Sequence, residues 1–349
     1  MQRIIWFLIL LPSIGIAQIG GKGIYKFLNT APNARSAAYG GTSMVTWAND
    51  LNVAFQNPSL LQASMSNQAT INYLMYPAGI TAGSVAYAYH DDSIGTMMFG
   101  MQYYKYGTFT RADETGVKQG SFHAADYNFQ VGINHTLKHF FLGTNLKFIY
   151  STIERYNSYG IAADIAATYH ASDTSRFVAS LLIRNIGLQI KPYESTREPL
   201  PLQIQIGLSK QLAHMPFRYF LIFNNLQQAD ISYINPNSSS TKIDLTTQEP
   251  IVKTPNLADK MMRHLVLGGE FLFTKTFNLR FGYNYQHRKE LILGDDYKKG
   301  LAGFSWGLGL RISKFQLSYG AACYTPGVIN TNFSIVSQLS DWKKSKKVK

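Results

Sequence analysis

The chain is poor in charge. Asp, Glu, Lys and Arg together make up 15% of its 349 residues, against roughly a quarter in an ordinary soluble protein. That argues against the solvated surface of a soluble enzyme. There is one cysteine, Cys323, so neither an internal disulfide nor a thiolate metal cluster can form. Nowhere does an apolar run approach the roughly 18 residues of a membrane-spanning helix. If this chain enters a bilayer, it must do so as strands closed into a barrel. The metalloprotease and dithiol signatures are missing as well: there is no H-E-x-x-H or C-x-x-C. The glycine run 20-GGKG-23 lacks the Lys-Ser/Thr that completes a phosphate loop. His135 and His139 are four apart, a spacing that aligns metal ligands only on a helix, and 90-HDD-92 reads as a tight turn. No catalytic, cofactor or metal site is expected.

What is present is aromatic and weakly polar. Aromatic residues reach 13%, with 22 Tyr and 21 Phe, while mean hydropathy stays near neutral at -0.10. That combination suits a barrel with an apolar outside and a polar inside. The net charge of +13 is partly concentrated in the tail 343-KKSKKVK-349. No nucleic-acid-binding motif accompanies it, so anionic lipid or lipopolysaccharide is the expected counterpart and nucleic acid is not. The first residues, MQR followed by 4-IIWFLILL-11 and the small residues 15-GIA-17, have the layout of a cleaved secretory signal peptide over 1–17. Gln18 follows, which excludes a lipoprotein cysteine at that point.

From residue 69 the sequence alternates with period two. In 125-ADYNFQVGINH-135, Tyr127, Phe129, Val131 and Ile133 share one face, while Asn128, Gln130, Gly132 and Asn134 share the other. The same pattern recurs in 202-LQIQIGLS-209 and 303-GFSWGLGLRI-312. A bulky apolar face suits lipid, and a small or amide-bearing face suits a wet lumen. Such segments number about fourteen between residues 69 and 339, counted by the same alternation. Short connections, such as 91-DDS-93, 136-TLK-138 and 313-SK-314, alternate with longer ones at 107–119, 189–199, 227–262 and 288–299. Tight turns at one end and long loops at the other are the habit of outer-membrane barrels. The expected fold is therefore all-β, a transmembrane antiparallel barrel of about 14 strands over 69–340, with a basic tail at 341–349.

Residues 18–68 precede the first strand and are rich in Gly, Ala, Asn and Ser. A wide barrel needs interior filling unless it is an open pore, and small residues at 34–43 would let a short element pack closely inside. We therefore expect 18–68 to form an internal plug, with Arg35 and Asp50 as candidate lumen partners. Asp164 and Arg184 are candidate lumen-facing charges within strands.

The series 34-ARSAAYGGTSM-44, Asn49-Asp50 and 57-NPSLL-61 resembles the N-terminal segment of FadL-like outer-membrane proteins. Within that superfamily, 20-GGKGIYKFLNTAPNARSAAYGG-41 is similar to the start of the PorV/PorQ group of the Bacteroidetes type IX secretion system, on the PorQ side of that group. The residues that carry the resemblance are Gly20, Gly21, Tyr25, Phe27, Leu28, Ala34, Arg35, Gly40, Gly41, Asp50, Asn57 and Pro58. Tyr39 and Ser59 depart mildly from the family pattern, which tends to Leu and Ala there. The resemblance implies a non-enzymatic outer-membrane barrel that tethers the cell-surface cargo-attachment machinery, with PorV, PorU and PorZ as partners. The long outer loop 227–262, including Asn235, Pro236, Asn237, Pro250 and Pro255, is the candidate contact. The FadL branch offers an alternative, transport of small hydrophobic molecules.

Overall fold

A computed structural model describes residues 23–171, 176–232, 255–290 and 300–342. Fourteen strands close on themselves: β1 (Gln68–Met75), β2 (Thr81–Asp91), β3 (Gly95–Ala112), β4 (Lys118–Leu137), β5 (Phe140–Ile153), β6 (Tyr156–His170), β7 (Phe177–Lys191), β8 (Gln203–Gln211), β9 (Phe217–Phe223), β10 (Leu265–Phe271), β11 (Phe277–Asn284), β12 (Phe304–Ile312), β13 (Phe315–Thr325) and β14 (Val328–Gln338). Every strand pairs antiparallel with its sequence neighbours, and β1 pairs with β14 from Gln68↔Gln338 to Met75↔Thr331. Closure leaves no edge strand whose backbone groups would need another partner.

The alternation read from sequence is the alternation of the wall. In β4 the Asn128, Gln130 and Asn134 side chains are buried inside, while Phe129, Val131 and Ile133 are exposed outside. Around the circumference the outer face carries large apolar groups such as Ile71, 62% exposed, and Leu146, 63% exposed. An apolar belt of that extent is stable against lipid and not against water.

Connections after β2, β4, β6, β8, β10 and β12 are two to six residues long and lie at one end, here the turn side. The longer ones, after β7, β9 and β11, open at the other, the loop side. Three expectations need correction. Residues 107–119 are not a loop: β3 and β4 run through them as a projecting hairpin, bulged between Lys105 and Thr108, and only 113–117 turns. There the Asp113 carboxylate accepts from the amides of Thr115 and Val117, so a side chain organises a turn far tighter than the sequence suggested. Strand β11 stops at Asn284, where a short helix, α3 (Tyr285–Glu290), takes over from the strand read as far as 287. Helix α2 (Leu257–Arg263) likewise occupies the end of the segment read as loop.

Residues 23–67 hold short helical turns and almost no exposed surface between Ala31 and Leu61. Helix α1 (Ala34–Ala38) is capped at both ends by its own sequence: Asn33 accepts from the Ser36 amide at 2.9 Å, and Gly41 N and Gly40 N donate to Ser36 O and Ala37 O. Gly40 has φ +78, the left-handed conformation that lets a glycine close the helix in this way. Helix α1 touches β11–β14, whereas the turn at Pro58–Leu60 touches β4–β6. Those two groups of strands are diametrically opposed in a fourteen-stranded ring, so the segment crosses the lumen.

Candidate functional site

Wall glycines receive the N-terminal segment. A Cβ on Gly307 would stand 2.6 Å from the Ala38 Cβ, and one on Gly282 would stand 2.5 Å from the Tyr39 carbonyl carbon. On Gly320 it would stand 2.9 Å from the Ala34 carbonyl carbon, and on Gly143 it would meet Ser59 Cα at 2.7 Å. Gly307 pairs directly with Gly320 across β12 and β13, so these two positions form a flat seat for α1. None of the four is needed for a positive φ. They are small because backbone passes where a side chain would be.

The motif residues are distributed over this interface. Tyr25, itself at φ 56, hydrogen-bonds Ser158 Oγ at 2.5 Å, and Phe27 packs on Tyr104 with ring centroids 5.2 Å apart. Leu28 O accepts from Arg184 Nη2 at 2.8 Å. Ala34 N donates to Ser334 Oγ, and Gly40 O accepts from Asn284 Nδ2. Gly41 O accepts from Gln56 Nε2, whose own carbonyl oxygen receives the Ser43 amide. Asn57 donates to Met44 O at 2.7 Å and accepts from the Ser59 amide, while Pro58 begins the turn that follows. Gly20, Gly21, Asn235, Pro236, Asn237 and Pro250 lie outside the described residues. Pro255 is described, just before Asn256, the N-cap of α2.

Two groups of charges stand inside the barrel, apart from Asp126, which accepts from Tyr106 and Ser151. Arg35 donates through Nε to Asp50 at 2.8 Å and through Nη1 to Glu270 at 3.1 Å. Glu270, on β10, also receives Arg280 at 3.1 Å and Arg218 at 3.2 Å. One buried carboxylate thus holds three guanidiniums from β9, β11 and the N-terminal segment, a charge-assisted network in which Glu270 and Arg280 are enclosed and Arg218 is partly open. In the second group Lys147 donates to Asp164 at 2.7 Å and to Asn185 at 2.9 Å. Asp164 is therefore paired with Lys147 and not with Arg184, which reaches Gln203 and Leu28 instead. Sequence reading passed over Glu270, Arg218, Arg280 and Lys147. For Lys147, Glu270 and Arg280 the signal was there, a lone charge on the mainly small or polar face of an alternating strand, as in 279-LRFG-282, whereas Arg218 shares its face with Phe220 and Ile222 and gave no such signal.

Above the loop-side mouth α2 and α3 are clasped by Asp259, which accepts from Arg263 at 2.9 Å, Lys289 at 3.0 Å and Tyr285 at 2.7 Å. Burial works to raise the Asp259 carboxyl, but the hydrogen bonds from Tyr285, Lys289 and Arg263 outweigh it and hold the group down at about 2. Its folded value is below the unfolded one of about 3.9. The stabilisation is complete above that pH and is lost as pH falls towards 2. Pepsin should accordingly begin to nick 257–263 only between about pH 4 and 2, and Asp259→Asn should weaken that pH dependence, leaving the share carried by Asp230 on Lys260.

No protein-family model and no curated protein matches the chain. Among solved structures it is similar to the CymD monoaromatic hydrocarbon channel, at 12% identity and TM-score 0.49 over 88% of this chain and 97% of that one. It is also similar to a mutant of the TodX monoaromatic hydrocarbon channel, at 11% identity and TM-score 0.48 over the same shares. A Pseudomonas aeruginosa FadL homologue follows at 10% identity and TM-score 0.43, over 87% of this chain and 97% of that chain. The assignment of a closed fourteen-stranded barrel rests on the strand ladder itself.

Proposed function

We propose that this protein is an outer-membrane barrel of the PorQ kind, plugged by residues 18–68, that tethers surface partners of type IX secretion through its loop-side end. The observation that carries the reading is the occupied lumen. Residues 31–61 are almost wholly buried against opposite walls and joined to them by Asn57 to Thr168, Arg35 to Glu270, Ala34 to Ser334 and Gly40 to Asn284. A barrel filled with hydrogen-bonded backbone is built as a platform, and the loops after β7, β9 and β11 are what it presents. PorV, PorU and PorZ, and lipopolysaccharide as the cargo anchor, are the partners this reading assigns. Deletion of 227–262, with insertion of the barrel verified, should release the surface partner into the medium. Full surface retention in that deletion would falsify the tethering role.

A second reading has an observation of its own. Ile24, Phe27 and Leu28 join Leu74, Tyr104 and Leu200 in a buried apolar cluster, flanked by Tyr76, Tyr106 and Tyr193. If those three N-terminal side chains withdrew, an apolar chamber would open beneath the loops, as transport of small hydrophobic molecules requires. Uptake of such a molecule by vesicles carrying the protein, abolished by tying residues 24–28 to the wall, would favour this reading over tethering.

A further inference from the structure

The turn-side mouth holds a cavity of about 170 Å³ whose lining is unbalanced in charge. Five consecutive strands each supply one inward-facing side chain to it: Arg218 from β9, Glu270 from β10, Asn278 from β11, Arg311 from β12 and Gln316 from β13. Arg35 lines it from within, and Lys275 stands at its rim in the β10–β11 turn. Glu270 is the one carboxylate among the lining residues, and its charge is already shared by Arg35, Arg218 and Arg280. Asp50 engages Arg35 from its other side. Lys275 and Arg311 meet no carboxylate among the described residues.

Two polar atoms nearby are also unsatisfied. Arg280 Nη2 and Asn278 Oδ1 are buried without a hydrogen-bond partner. They lie together where Gly309 leaves room, a Cβ there falling 2.6 Å from Nη2 and 2.7 Å from Oδ1. A buried guanidinium N–H is seldom left unpaired unless an acceptor satisfies it, whereas Asn278 Oδ1 is itself an acceptor, so the groups an anion can meet here are the Arg280 donor and the Asn278 Nδ2 amide. Guanidinium forks match phosphate and carboxylate oxygens, and inside a low-dielectric wall such contacts are strengthened.

We propose that this pocket binds an oxyanion, the phosphate or carboxylate group of a water-soluble ligand that enters from the turn side. Arg311 and Lys275 capture it at the rim, with Asn278 and Gln316 completing its hydrogen bonds. The charged and amide side chains of the lining face the lumen, which favours a dissolved ligand over a lipid headgroup. The proposal is independent of tethering, since it concerns the opposite mouth from the loops.

The test is calorimetric titration of the full chain in zwitterionic detergent at low salt, with inorganic phosphate and, in parallel, succinate. Saturable one-site binding of at least one of them, at about 1 mM or tighter, is expected. Lys275→Gln with Arg311→Gln should weaken it by about tenfold or more, while Arg111→Gln, at the loop side, should leave it unchanged. Heat-modifiable migration on gels confirms that each variant keeps its barrel. Absence of saturable binding, or equal weakening by Arg111→Gln, overturns the pocket. Repeating the titration in phosphatidylglycerol nanodiscs separates the sources: unchanged affinity supports a dissolved ligand, whereas competition by the lipid overturns that choice.

Discussion

Gly143→Val is expected to dislodge residues 57–59 from the wall and to destabilise the folded barrel by about 1–3 kcal/mol or more. The reason is geometric. Gly143 faces inward from β5, and even a methyl group there would press on the Ser59 backbone, 2.7 Å from its Cα. Backbone cannot swing aside as a long side chain can. Ser59 is further held by a 2.6 Å hydrogen bond to Thr168 on β6, and Asn57 by Met44 O. Accommodating the new side chain therefore means breaking several buried hydrogen bonds together, each leaving an unsatisfied group. Trypsin offers a direct readout. Arg35 is 3% exposed and protected in the seated segment, so cleavage after Arg35 should appear in Gly143→Val at temperatures where the parent chain resists. Leu142→Val, on the neighbouring lipid-facing position, should change neither property.

The second large effect is expected at Glu270. Glu270→Ala leaves Arg35, Arg218 and Arg280 buried around an empty place, and removing one member of a buried ion group typically costs about 3–5 kcal/mol because the remaining charges stay desolvated. Glu270→Gln keeps an acceptor and much of the volume but no charge, and should fall between. Removing a cation from the same network should partly rescue it. Arg218 is the least buried of the three guanidiniums, so Glu270→Gln with Arg218→Gln should recover part of the loss seen in Glu270→Gln alone. Urea unfolding in lipid vesicles measures all three. Arg35→Ala and Asp50→Ala probe the segment's side of the network, and barrel stability unchanged by both would count against an ionic anchor for the N-terminal segment.

Both experiments turn on contacts between residues far apart in the chain, and those contacts separate what the sequence conveyed from what it did not. The strands were legible because period-two alternation is enforced locally: each residue of β4 or β12 must face either lipid or lumen, and its chemistry says which. The same rule located the tight turn at 313–314 and came within two residues of the one expected at 136–138, which lies at 138–139. It misjudged 107–119, since the polar composition of a strand that projects beyond the bilayer is indistinguishable from that of a loop. Helix α1 was half legible. Asn33 and the Gly40-Gly41 pair spell its ends, yet nothing local says that its floor is made of Gly307 and Gly320, some 270 residues later in chain order by the numbering.

By itself, then, the sequence determined a barrel of about fourteen strands and the division of its strands into a lipid face and a lumen face, while closure at fourteen came from the structure. These follow from hydropathy acting residue by residue. Only the tertiary structure decided which inward groups meet: Asp164 with Lys147 instead of Arg184, Glu270 with three arginines, and Ser59 against Gly143. Those pairings depend on barrel closure and strand stagger, which bring side chains together at separations that no local pattern records.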